Sequence, residues 1–331
     1  MRRIAIIGAG SWGTALAALW ASDGRPISLW GNDPQRIARV RTSRENSDYL
    51  PGVQLPSNVD ATHEFAACGD ADLVVFVTPS VATRQVATRV RAAGINENAV
   101  LLSCTKGIEH GAGLRMSQIL EEIFPSHTIA VLSGPNLAAE VARGLPTATV
   151  IGCTDERSAA DLQTFLGSEL FRIYTSSDVT SIELGGALKN VFAIAAGVSD
   201  GLGLGDNSKA ALVTRSLAEL LRLGSAMGGN PRTFYGLSGA GDLIATCFSK
   251  HSRNRRVGER VGRAEPFARI QADMQMVAEG VPTARSAFQC ARRLGVETPI
   301  IDQVYAVLYE GKPLRTAMRD LLGRDPKSEK L

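Results

Sequence analysis

A glycine-rich turn near the N-terminus constrains this chain more than any other feature. The sequence GAGSWG at residues 8–13 follows the apolar run IAII and opens an Ala- and Leu-rich stretch at residues 14–20. This order predicts a strand, a tight turn and a helix, which is the context in which G-x-G-x-x-G indicates dinucleotide binding. The helix N-terminus would offer N–H groups and the positive end of its dipole to the phosphates.

Composition excludes several other classes of function. The chain has 331 residues, enough for two domains, with 44% hydrophobic and 21% charged residues. A net charge of +3 and 5% aromatic residues disfavour a nucleic-acid-binding module. The five cysteines and four histidines show no metal-ligand spacing, so we predict no metal site. The scattered, odd-numbered cysteines indicate reduced thiols in a cytoplasmic protein. No uninterrupted apolar run approaches the roughly 18 residues that cross a bilayer, so we expect no stable membrane insertion.

The first half of the chain alternates short apolar runs with helical stretches. Further strands are predicted at residues 27–30, 73–77, 100–102, 129–132, 147–151 and 171–174. This alternation predicts a mostly parallel sheet with helices on both faces. The polar segments TPS at 78–80, KG at 106–107 and GPN at 134–136 each follow a strand. We therefore expect them at the carboxyl edge of the sheet, where ligands bind in such folds.

After residue 176 the strand-like runs stop and helical patterns take over. Helices are predicted at residues 182–198, 209–227, 253–263, 281–294 and 300–309. The predicted fold class is therefore α/β, with an N-terminal Rossmann-like, mostly parallel sheet followed by an all-helical domain. We place the dinucleotide-binding domain at residues 1–178 and the helical substrate and catalytic domain at residues 179–331.

A lysine interrupts an otherwise apolar predicted helix in the second half. Lys189 and Asn190 lie within LGGALKNVFA at residues 184–193. Burial disfavours the ammonium form and lowers the pKa of a lysine, and such an amine can accept or donate a proton. The alternative is a lysine that extends its amine out of a half-buried helix.

Two later segments carry polar residues in unusual density. In GLSGAGD at residues 236–242, three glycines precede Asp242, which indicates either a closely approached backbone or a plain turn with Asp242 capping a helix. HSRNRR at residues 251–256 is rich in hydrogen-bond donors, and arginine grips phosphate with charge-assisted bonds. A solvated helix start and a nucleic-acid patch are the alternatives, and the shortness of the cluster disfavours the second.

Taken together, these segments resemble bacterial-type NAD(P)-dependent glycerol-3-phosphate dehydrogenase. The matching segments are IGAGSWGTALA at 7–17, LWG at 29–31, YLP at 49–51, TKG at 105–107, SGP at 133–135, GLPT at 144–147, LGGALKN at 184–190, SDGLG at 199–203, SRNRR at 252–256 and EG at 279–280. The resemblance covers nearly the whole chain. It implies reduction of dihydroxyacetone phosphate to sn-glycerol 3-phosphate for glycerophospholipid synthesis, with NADP or NAD as cofactor, by a cytoplasmic homodimer.

The resemblance, together with the glycine turn, assigns roles to individual residues. Lys189 is implied as the proton donor or acceptor, with Asn190, Asp242 and Thr246 as active-site neighbours. The implied cofactor contacts are Gly8, Gly10, Ser11, Trp12, Gly13, Asn32, Lys106, Arg253, Val277 and Glu279. The implied substrate contacts are Lys106, Gly134, Asn136, Ala138, Lys189, Asp242, Ser252, Arg253 and Asn254. Position 136 often carries Ser or Thr in bacterial relatives, and asparagine can still donate and accept.

The sequence leaves the choice of cofactor open. Asp33 lies where NAD sites carry a ribose-binding acid, yet Asp33-Pro34 is also typical of a helix start. Family members often place Arg or His at the position of the neutral Asn32, while Arg36 is close enough in sequence to help bind a 2′-phosphate. We expect a preference for NADPH with some use of NADH.

Two other functions remain as alternatives. One is a related dehydrogenase of another small acid or a sugar nucleotide, which would share the glycine turn and the helical lysine. The other is a non-catalytic dinucleotide-binding sensor, in which Lys189 and Asp242 would be dispensable.

Overall fold

An eight-stranded sheet organises the first part of the chain in the computed structural model, which describes residues 1–274, 276–325 and 328. Its strands are β1 (Ile4–Ile7), β2 (Ile27–Trp30), β3 (Val59–Thr62), β4 (Leu73–Phe76), β5 (Val100–Ser103), β6 (Ile129–Ser133), β7 (Thr147–Cys153) and β8 (Phe171–Ser176). The accompanying helices are α1 (Ser11–Trp20), α2 (Pro34–Ser43), α3 (Thr83–Ala93), α4 (Met116–Ile123), α5 (Ala138–Val141) and α6 (Glu156–Leu166).

The strand order is β3-β2-β1-β4-β5-β6-β7-β8, and every neighbouring pair is parallel except β6 and β7. The predicted mostly parallel sheet is confirmed. Strand β3 was not predicted, because its sequence VDAT carries a charged residue and no continuous apolar run. Since β1 lies between β2 and β4, the loops after β1 and β4 diverge, and ligands bind at such a crevice in parallel sheets.

Burial of the central strands explains why their sequences lack polar alternation. All four residues of β1 and of β4 are fully buried. Leu16 and Ala17 of α1 belong to the same hydrophobic core as Ile4 and Ile6 of β1. Because helices cover both faces at the centre of the sheet, β1 and β4 bury both of their faces and are apolar throughout.

Helices make up the second part of the chain. They are α7 (Val179–Gly201), α8 (Gly205–Ala226), α9 (Asp242–Phe248), α10 (Arg253–Gly262), α11 (Phe267–Ala272), α12 (Gly280–Leu294), α13 (Pro299–Tyr309) and α14 (Leu314–Leu322). The predicted all-helical second half is confirmed, and so is the fold class. Helices α9, α11 and α14 were not predicted; each is shorter than ten residues, which leaves little room for a periodic pattern.

Helix α7 is more apolar along its length than the sequence pattern predicted. It is the one helix within the described part of the chain that is long and apolar enough to cross a membrane. Its polar residues, such as Glu183 and Lys189, hid this property because they interrupt the apolar run. In the structure, 89% of the apolar window of α7 is buried, so α7 is the core helix of its unit.

The chain divides into two compact units, one formed by Met1–Lys106 with Arg115–Val179 and the other by Gly107–Leu114 with Thr180–Leu331. The segment 107–114, which the sequence analysis assigned to the first domain, belongs to the helical unit. There Arg293 of α12 donates a hydrogen bond of 3.4 Å to the carbonyl of Ala112. The predicted second domain extends to residue 331, and residues 326, 327 and 329–331 lie outside the described residues. The division into two independently folding domains, with a boundary between residues 178 and 179, stays a prediction.

Candidate active site

The glycine turn after β1 leaves no room for side chains on its protein-facing side. A Cβ at Gly8, whose φ is +131°, would lie 2.6 Å from the carbonyl oxygen of Val77 at the end of β4. A Cβ at Gly13 would lie 1.9 Å from the carbonyl oxygen of Gly8. Glycine is therefore required at both positions, because no side chain can replace backbone at these distances.

The middle glycine of the turn has different surroundings. A Cβ at Gly10 would meet no atom within 4 Å. Gly10 occupies the N-cap of α1, so no side chain caps this helix, and its first turn carries no acidic residue. Open space beside a helix N-terminus without acidic residues fits a pyrophosphate, so the turn has the shape and polarity that a dinucleotide needs.

The segment that follows α2 supports this turn. Ser11 Oγ donates a hydrogen bond of 2.7 Å to the carbonyl of Tyr49. Asn46 Nδ2 donates to the carbonyl of Ala9 at 2.9 Å. Trp12 lies partly buried against the core of the first unit. The predicted cofactor residues Gly8, Gly10, Ser11, Trp12 and Gly13 thus lie together in the turn and the first residues of α1, at the carboxyl end of β1, with Gly13 buried and the other four half-buried.

At the end of β2 the structure assigns Asp33 a local role. Its carboxylate caps α2 by accepting hydrogen bonds of 3.0 Å from the backbone N–H groups of Gln35 and Arg36, and the bond from Arg36 lowers the pKa of Asp33. Asn32, just before it, is exposed. The guanidinium of Arg36 bonds to Asp48 at 3.0 Å and lies 4.6 Å from the centre of the Tyr49 ring. The carboxylate at this strand end is therefore engaged in capping.

The loops after β5 and β6 meet through Lys106. Its ammonium donates a hydrogen bond of 2.8 Å to the carbonyl of Gly134. Asn136 Oδ1 lies 3.0 Å from Thr149 Oγ1, and Asn136 Nδ2 is buried without a partner among the described residues. Ala138 begins the short helix α5. A buried amide donor without a protein partner fits a polar ligand at the carboxyl end of β6.

In the second unit, Lys189, Asp242 and Thr246 form a closed triangle. The Lys189 ammonium lies 2.9 Å from Asp242 Oδ1 and donates to Thr246 Oγ1 at 2.5 Å, while the Thr246 hydroxyl donates to Asp242 Oδ1 at 3.1 Å. Lys189 is 6% exposed and Asp242 2%. Burial alone would disfavour the ammonium, and the adjacent carboxylate opposes that effect. This excludes the alternative of an amine extended into solvent.

The glycines around residues 185 and 239 explain how Asp242 reaches α7. A Cβ at Gly185 would lie 2.7 Å from the carbonyl oxygen of Ser238, and one at Gly239 would lie 2.0 Å from that of Phe234. The π-helical turn Leu237–Gly241 therefore lies directly on α7, one helical turn before Lys189. Asp242 is the first residue of α9 and not its N-cap, which is Gly241. The glycine-rich segment thus serves a close approach of backbone to backbone.

An asparagine joins three helices next to the triangle. Asn254 of α10 donates from Nδ2 to Asn190 Oδ1 of α7 at 2.8 Å and accepts from the N–H of Gly280, the first residue of α12, also at 2.8 Å. Its predecessor Arg253 is exposed and donates one hydrogen bond of 3.0 Å to the carbonyl of Val277. Glu279 occupies the N-cap position of α12. Asn254 therefore links Asn190 to the start of α12, Arg253 contacts Val277, and Glu279 directly precedes Gly280 in the chain.

Helices α7 and α10 approach each other through glycines. A Cβ at Gly197 would lie 1.9 Å from the carbonyl oxygen of Arg255, and one at Gly258 would lie 1.9 Å from that of Ile194. Only glycine permits the two backbones to touch at both points. This crossing holds the start of α10, with Arg253 and Asn254, beside the α7 segment that carries Asn190.

The basic cluster at residues 251–256 divides into structural and exposed members. Ser252 caps α10 by accepting a hydrogen bond of 3.1 Å from the N–H of Arg255. The Arg255 guanidinium donates to Asp200 at 2.6 Å, and Asp200 also pairs with Lys209 at 2.9 Å. Arg253 and Arg256 are exposed. Ser252 and Arg255 therefore serve mainly to begin and anchor α10, through the cap and through Asp200. Arg253 makes separate contacts, including its hydrogen bond to the carbonyl of Val277.

Other reactive groups contribute less. Burial raises the pKa of Cys247, next to Thr246, to about 12, so this thiol stays protonated at neutral pH. Within residues 1–274 and 276–325, no group of three or more His, Cys, Asp or Glu residues could hold a metal ion. Tyr49 contacts the predicted site residue Ser11, Thr149 contacts the predicted site residue Asn136, and Asn46 contacts Ala9 within the glycine turn, but none of the three was assigned a role from the sequence. They lie in a loop or a distant strand, where no periodic pattern marks them.

Comparison with known proteins agrees with this geometry. The family models for the NAD-dependent glycerol-3-phosphate dehydrogenase N-terminus and C-terminus match residues 3–159 and 178–319. A glycerol-3-phosphate dehydrogenase (NAD(P)+) of Geobacter metallireducens is 47% identical over 333 residues, covering 99% of both chains. One from Bacillus cereus is 44% identical and covers 99% of this chain and 98% of its own.

Solved structures give the same result. The crystal structure of glycerol-3-phosphate dehydrogenase from Coxiella burnetii has a TM-score of 0.93 and 35% sequence identity, covering 98% of this chain and 99% of its own. The resemblance noted in the sequence is thereby confirmed. The chain belongs to the NAD(P)+-dependent glycerol-3-phosphate dehydrogenase family, whose members are oxidoreductases acting on a CH–OH group.

Proposed function

We propose that this protein reduces dihydroxyacetone phosphate to sn-glycerol 3-phosphate with NADPH or NADH, with Lys189 as the proton donor. The reverse oxidation would use the same residues. We further propose that it acts in the cytoplasm as a homodimer and supplies the glycerol phosphate backbone of phospholipids. Membership of the dehydrogenase family supports the reaction.

The observation that carries the proposal is the buried triangle of Lys189, Asp242 and Thr246. Reduction of a ketone places negative charge on the carbonyl oxygen, and a positioned acid must neutralise it. An ammonium held by a carboxylate at 2.9 Å and a hydroxyl at 2.5 Å is fixed in direction as well as in charge. Such an amine is prepared to donate its proton without first reorganising solvent.

The proton step follows from these contacts. A nicotinamide, when bound, supplies a hydride to the carbonyl carbon. The Lys189 ammonium donates a proton to the carbonyl oxygen, which becomes the secondary hydroxyl of the product. The amine left behind remains hydrogen-bonded to Thr246, and Asp242 stabilises the ammonium when a proton returns from solvent. In the oxidation, Lys189 accepts the hydroxyl proton.

Arg253 and Lys106, each described within its own unit, are our candidate cations for the phosphoryl group of the substrate. Arg253 presents an exposed guanidinium whose orientation is fixed by the carbonyl of Val277 at 3.0 Å. Lys106 is fixed in the same way by the carbonyl of Gly134 at 2.8 Å. A phosphate held by such cations orients the reacting carbon, so that binding energy away from the carbonyl lowers the barrier.

Residues 8–13 would hold the pyrophosphate of the cofactor, and the end of β2 would lie along its adenosine ribose. Asp33 is committed to capping α2, which weakens its use as a ribose ligand for NAD. Arg36 remains a cation at this strand end, although Asp48 already neutralises part of its charge. These contacts support NADPH as the preferred cofactor, with NADH also accepted.

The test is the absorbance of reduced nicotinamide in the presence of the purified protein and dihydroxyacetone phosphate. We expect oxidation of NADPH that depends on this substrate, and a much lower kcat/KM for unphosphorylated dihydroxyacetone. Turnover only with a 2-oxo acid would instead indicate a related dehydrogenase. Tight NADPH binding without turnover of either substrate would indicate a dinucleotide sensor. A lower KM for NADH than for NADPH would reverse the proposed cofactor preference.

A further inference from the structure

Asn46 is a buried polar residue in the loop between α2 and β3, and its side chain reaches the glycine turn. The residue is 1% exposed. Its Nδ2 donates to the carbonyl of Ala9 at 2.9 Å and to Thr14 Oγ1 at 2.8 Å. Ala9 lies between the first two glycines of the turn, and Thr14 lies in the first half of α1. One amide therefore joins the turn to the helix that follows it.

The two contacts determine the orientation of this amide. A backbone carbonyl can only accept, so the N–H groups of Asn46 must face Ala9. Asn46 Oδ1 is consequently buried, and it has no partner in the described part of the chain. Burying an unbonded amide oxygen is unfavourable, and an apolar side chain could fill the same space without that penalty. The two hydrogen bonds donated by the amide N–H groups therefore explain why residue 46 is an asparagine, since its oxygen bonds to no described residue.

The same segment makes a second connection to the turn. The Asn46 carbonyl accepts hydrogen bonds from the N–H groups of Tyr49 and Leu50 at 3.1 and 2.7 Å, which closes a tight loop. The carbonyl of Tyr49 then accepts from Ser11 Oγ at 2.7 Å. Residues 46–50 thus hold the glycine turn at Ala9 and at Ser11, on either side of Gly10.

We propose that Asn46 is a positioning residue for the pyrophosphate of the dinucleotide. The Ala9 carbonyl and the Gly10 N–H belong to one planar trans peptide and point in opposite directions. By holding this carbonyl toward itself, Asn46 fixes the Gly10 N–H in the opposite direction, as a donor for a phosphate oxygen. Without the amide, the peptide plane could rotate and present its carbonyl dipole to the phosphates. This inference rests on the proposed function, in which the turn binds the cofactor.

The chain offers a matched control in Asn58. Its Nδ2 donates to the carbonyls of Ala21 and Arg25 at 2.8 and 2.6 Å, beyond the C-terminal end of α1. Asn58→Ala therefore removes an amide that bridges two sites near α1, as Asn46→Ala does, but at the end of the helix opposite the glycine turn. A general loss of packing around α1 would affect both variants alike.

The experiment is calorimetric binding of NADPH and of ADP-ribose, which carries the pyrophosphate without a nicotinamide. For Asn46→Ala we expect the Kd of both ligands to rise by the same factor, about tenfold or more. The KM for dihydroxyacetone phosphate should stay within about twofold of the wild-type value. Asn58→Ala should leave both Kd values within about twofold of wild type.

Unchanged ADP-ribose binding by a folded Asn46→Ala variant would overturn the inference. An equal rise in the Kd values of Asn46→Ala and Asn58→Ala would overturn it as well. If Asn46→Ala does not fold, Asn46→Ser is the second variant, because its hydroxyl ends one bond short of the Nδ2 position and should weaken both ligands in the same way. Failure of the wild-type protein to bind either ligand would instead refute the proposed function, independently of Asn46.

Discussion

At the scale of single residues, the proposed proton donor is a lysine that is buried and held by two partners. Lys189 contacts Asp242 and Thr246, and each of these also contacts the other. A buried ammonium without its carboxylate would be strongly destabilising. The carboxylate therefore offsets the cost of burying the ammonium, and the two contacts fix the direction of the Lys189 amine.

We predict that Lys189→Ala lowers kcat by about 10²–10⁴-fold, the usual range for a positioned acid–base group. Steady-state kinetics with dihydroxyacetone phosphate measure this effect. Lys209→Ala is the control, because Lys209 is also 6% exposed and paired with an aspartate, Asp200, in the same unit. It should lose stability while its folded fraction keeps a near-normal kcat. Near-normal turnover by folded Lys189→Ala would remove Lys189 from the proton step.

The glycine turn offers a second prediction at this scale. Gly10→Ala adds a methyl group to open space with φ at −82°, so the free energy of unfolding should change by less than about 1 kcal/mol. The methyl group should nevertheless obstruct the pyrophosphate and raise the Kd of NADPH by about tenfold or more. Gly13→Ala should instead destabilise the fold, since its Cβ would meet a carbonyl oxygen at 1.9 Å.

Thermal unfolding and NADPH titration of both variants check this prediction. If Gly10→Ala binds NADPH as tightly as the wild-type protein, the cofactor does not approach the backbone at this glycine.

At the scale of elements, close helix crossings position the residues of the second unit. Gly197 of α7 and Gly258 of α10 each face a carbonyl of the other helix. The glycines appear in the sequence as helix-weakening residues, and nothing in their local pattern shows which helix they face. Their function becomes clear only when both helices are in place.

We predict that Gly258→Ala destabilises the protein by about 2–4 kcal/mol and lowers activity, because the backbones of α7 and α10 must separate to admit the methyl group. Urea denaturation measures the loss. Arg256→Ala is the control within α10, since it removes an exposed side chain and leaves the crossing unchanged. Similar stability of the two variants would show that the crossing is not a close backbone contact in solution.

At the scale of the whole molecule, a buried carboxylate makes stability depend on pH. Glu219 of α8 is 2% exposed and accepts the N–H groups of Ile300 and Ile301, in the first turn of α13, at 2.9 and 2.8 Å. Burial raises the pKa of Glu219 to about 7, although the two N–H groups oppose this shift. The folded state therefore keeps its proton up to a pH at which the unfolded chain, with an ordinary pKa of 4.5, has released it.

Since the folded state binds more protons between about pH 4.5 and pH 7, its free energy of unfolding should fall as pH rises through this range. The Glu219 contribution should decrease by roughly 3 kcal/mol and then level off above the folded pKa. Denaturation of the wild-type protein and of Glu219→Gln at several pH values gives this contribution as the difference between their free energies of unfolding. Glu310→Gln, at an exposed carboxylate, is the comparison variant. A constant difference for Glu219→Gln would mean that Glu219 is ionised throughout.

The division into units also belongs to this scale. The change of composition after residue 176 predicted where the helical part begins, and Val179 ends the first unit. The segment 107–114 could not be assigned in this way, since it is too short to have a composition of its own. It belongs to the helical unit because it packs there, through contacts such as that between Arg293 and Ala112.

Local patterns were sufficient for the glycine turn, the apolar strands and the long helices, because each depends on residues that are close neighbours along the chain. The ordered motifs were sufficient to identify the family, because many of them match the glycerol-3-phosphate dehydrogenases in the same order along the chain. Contacts across long separations required the folded chain: Thr246 joins Lys189 across 57 residues, and Asn46 joins Ala9 across 37. Hydrogen bonds made by side chains over such separations leave no periodic trace in a sequence, so only packing shows which donor meets which acceptor.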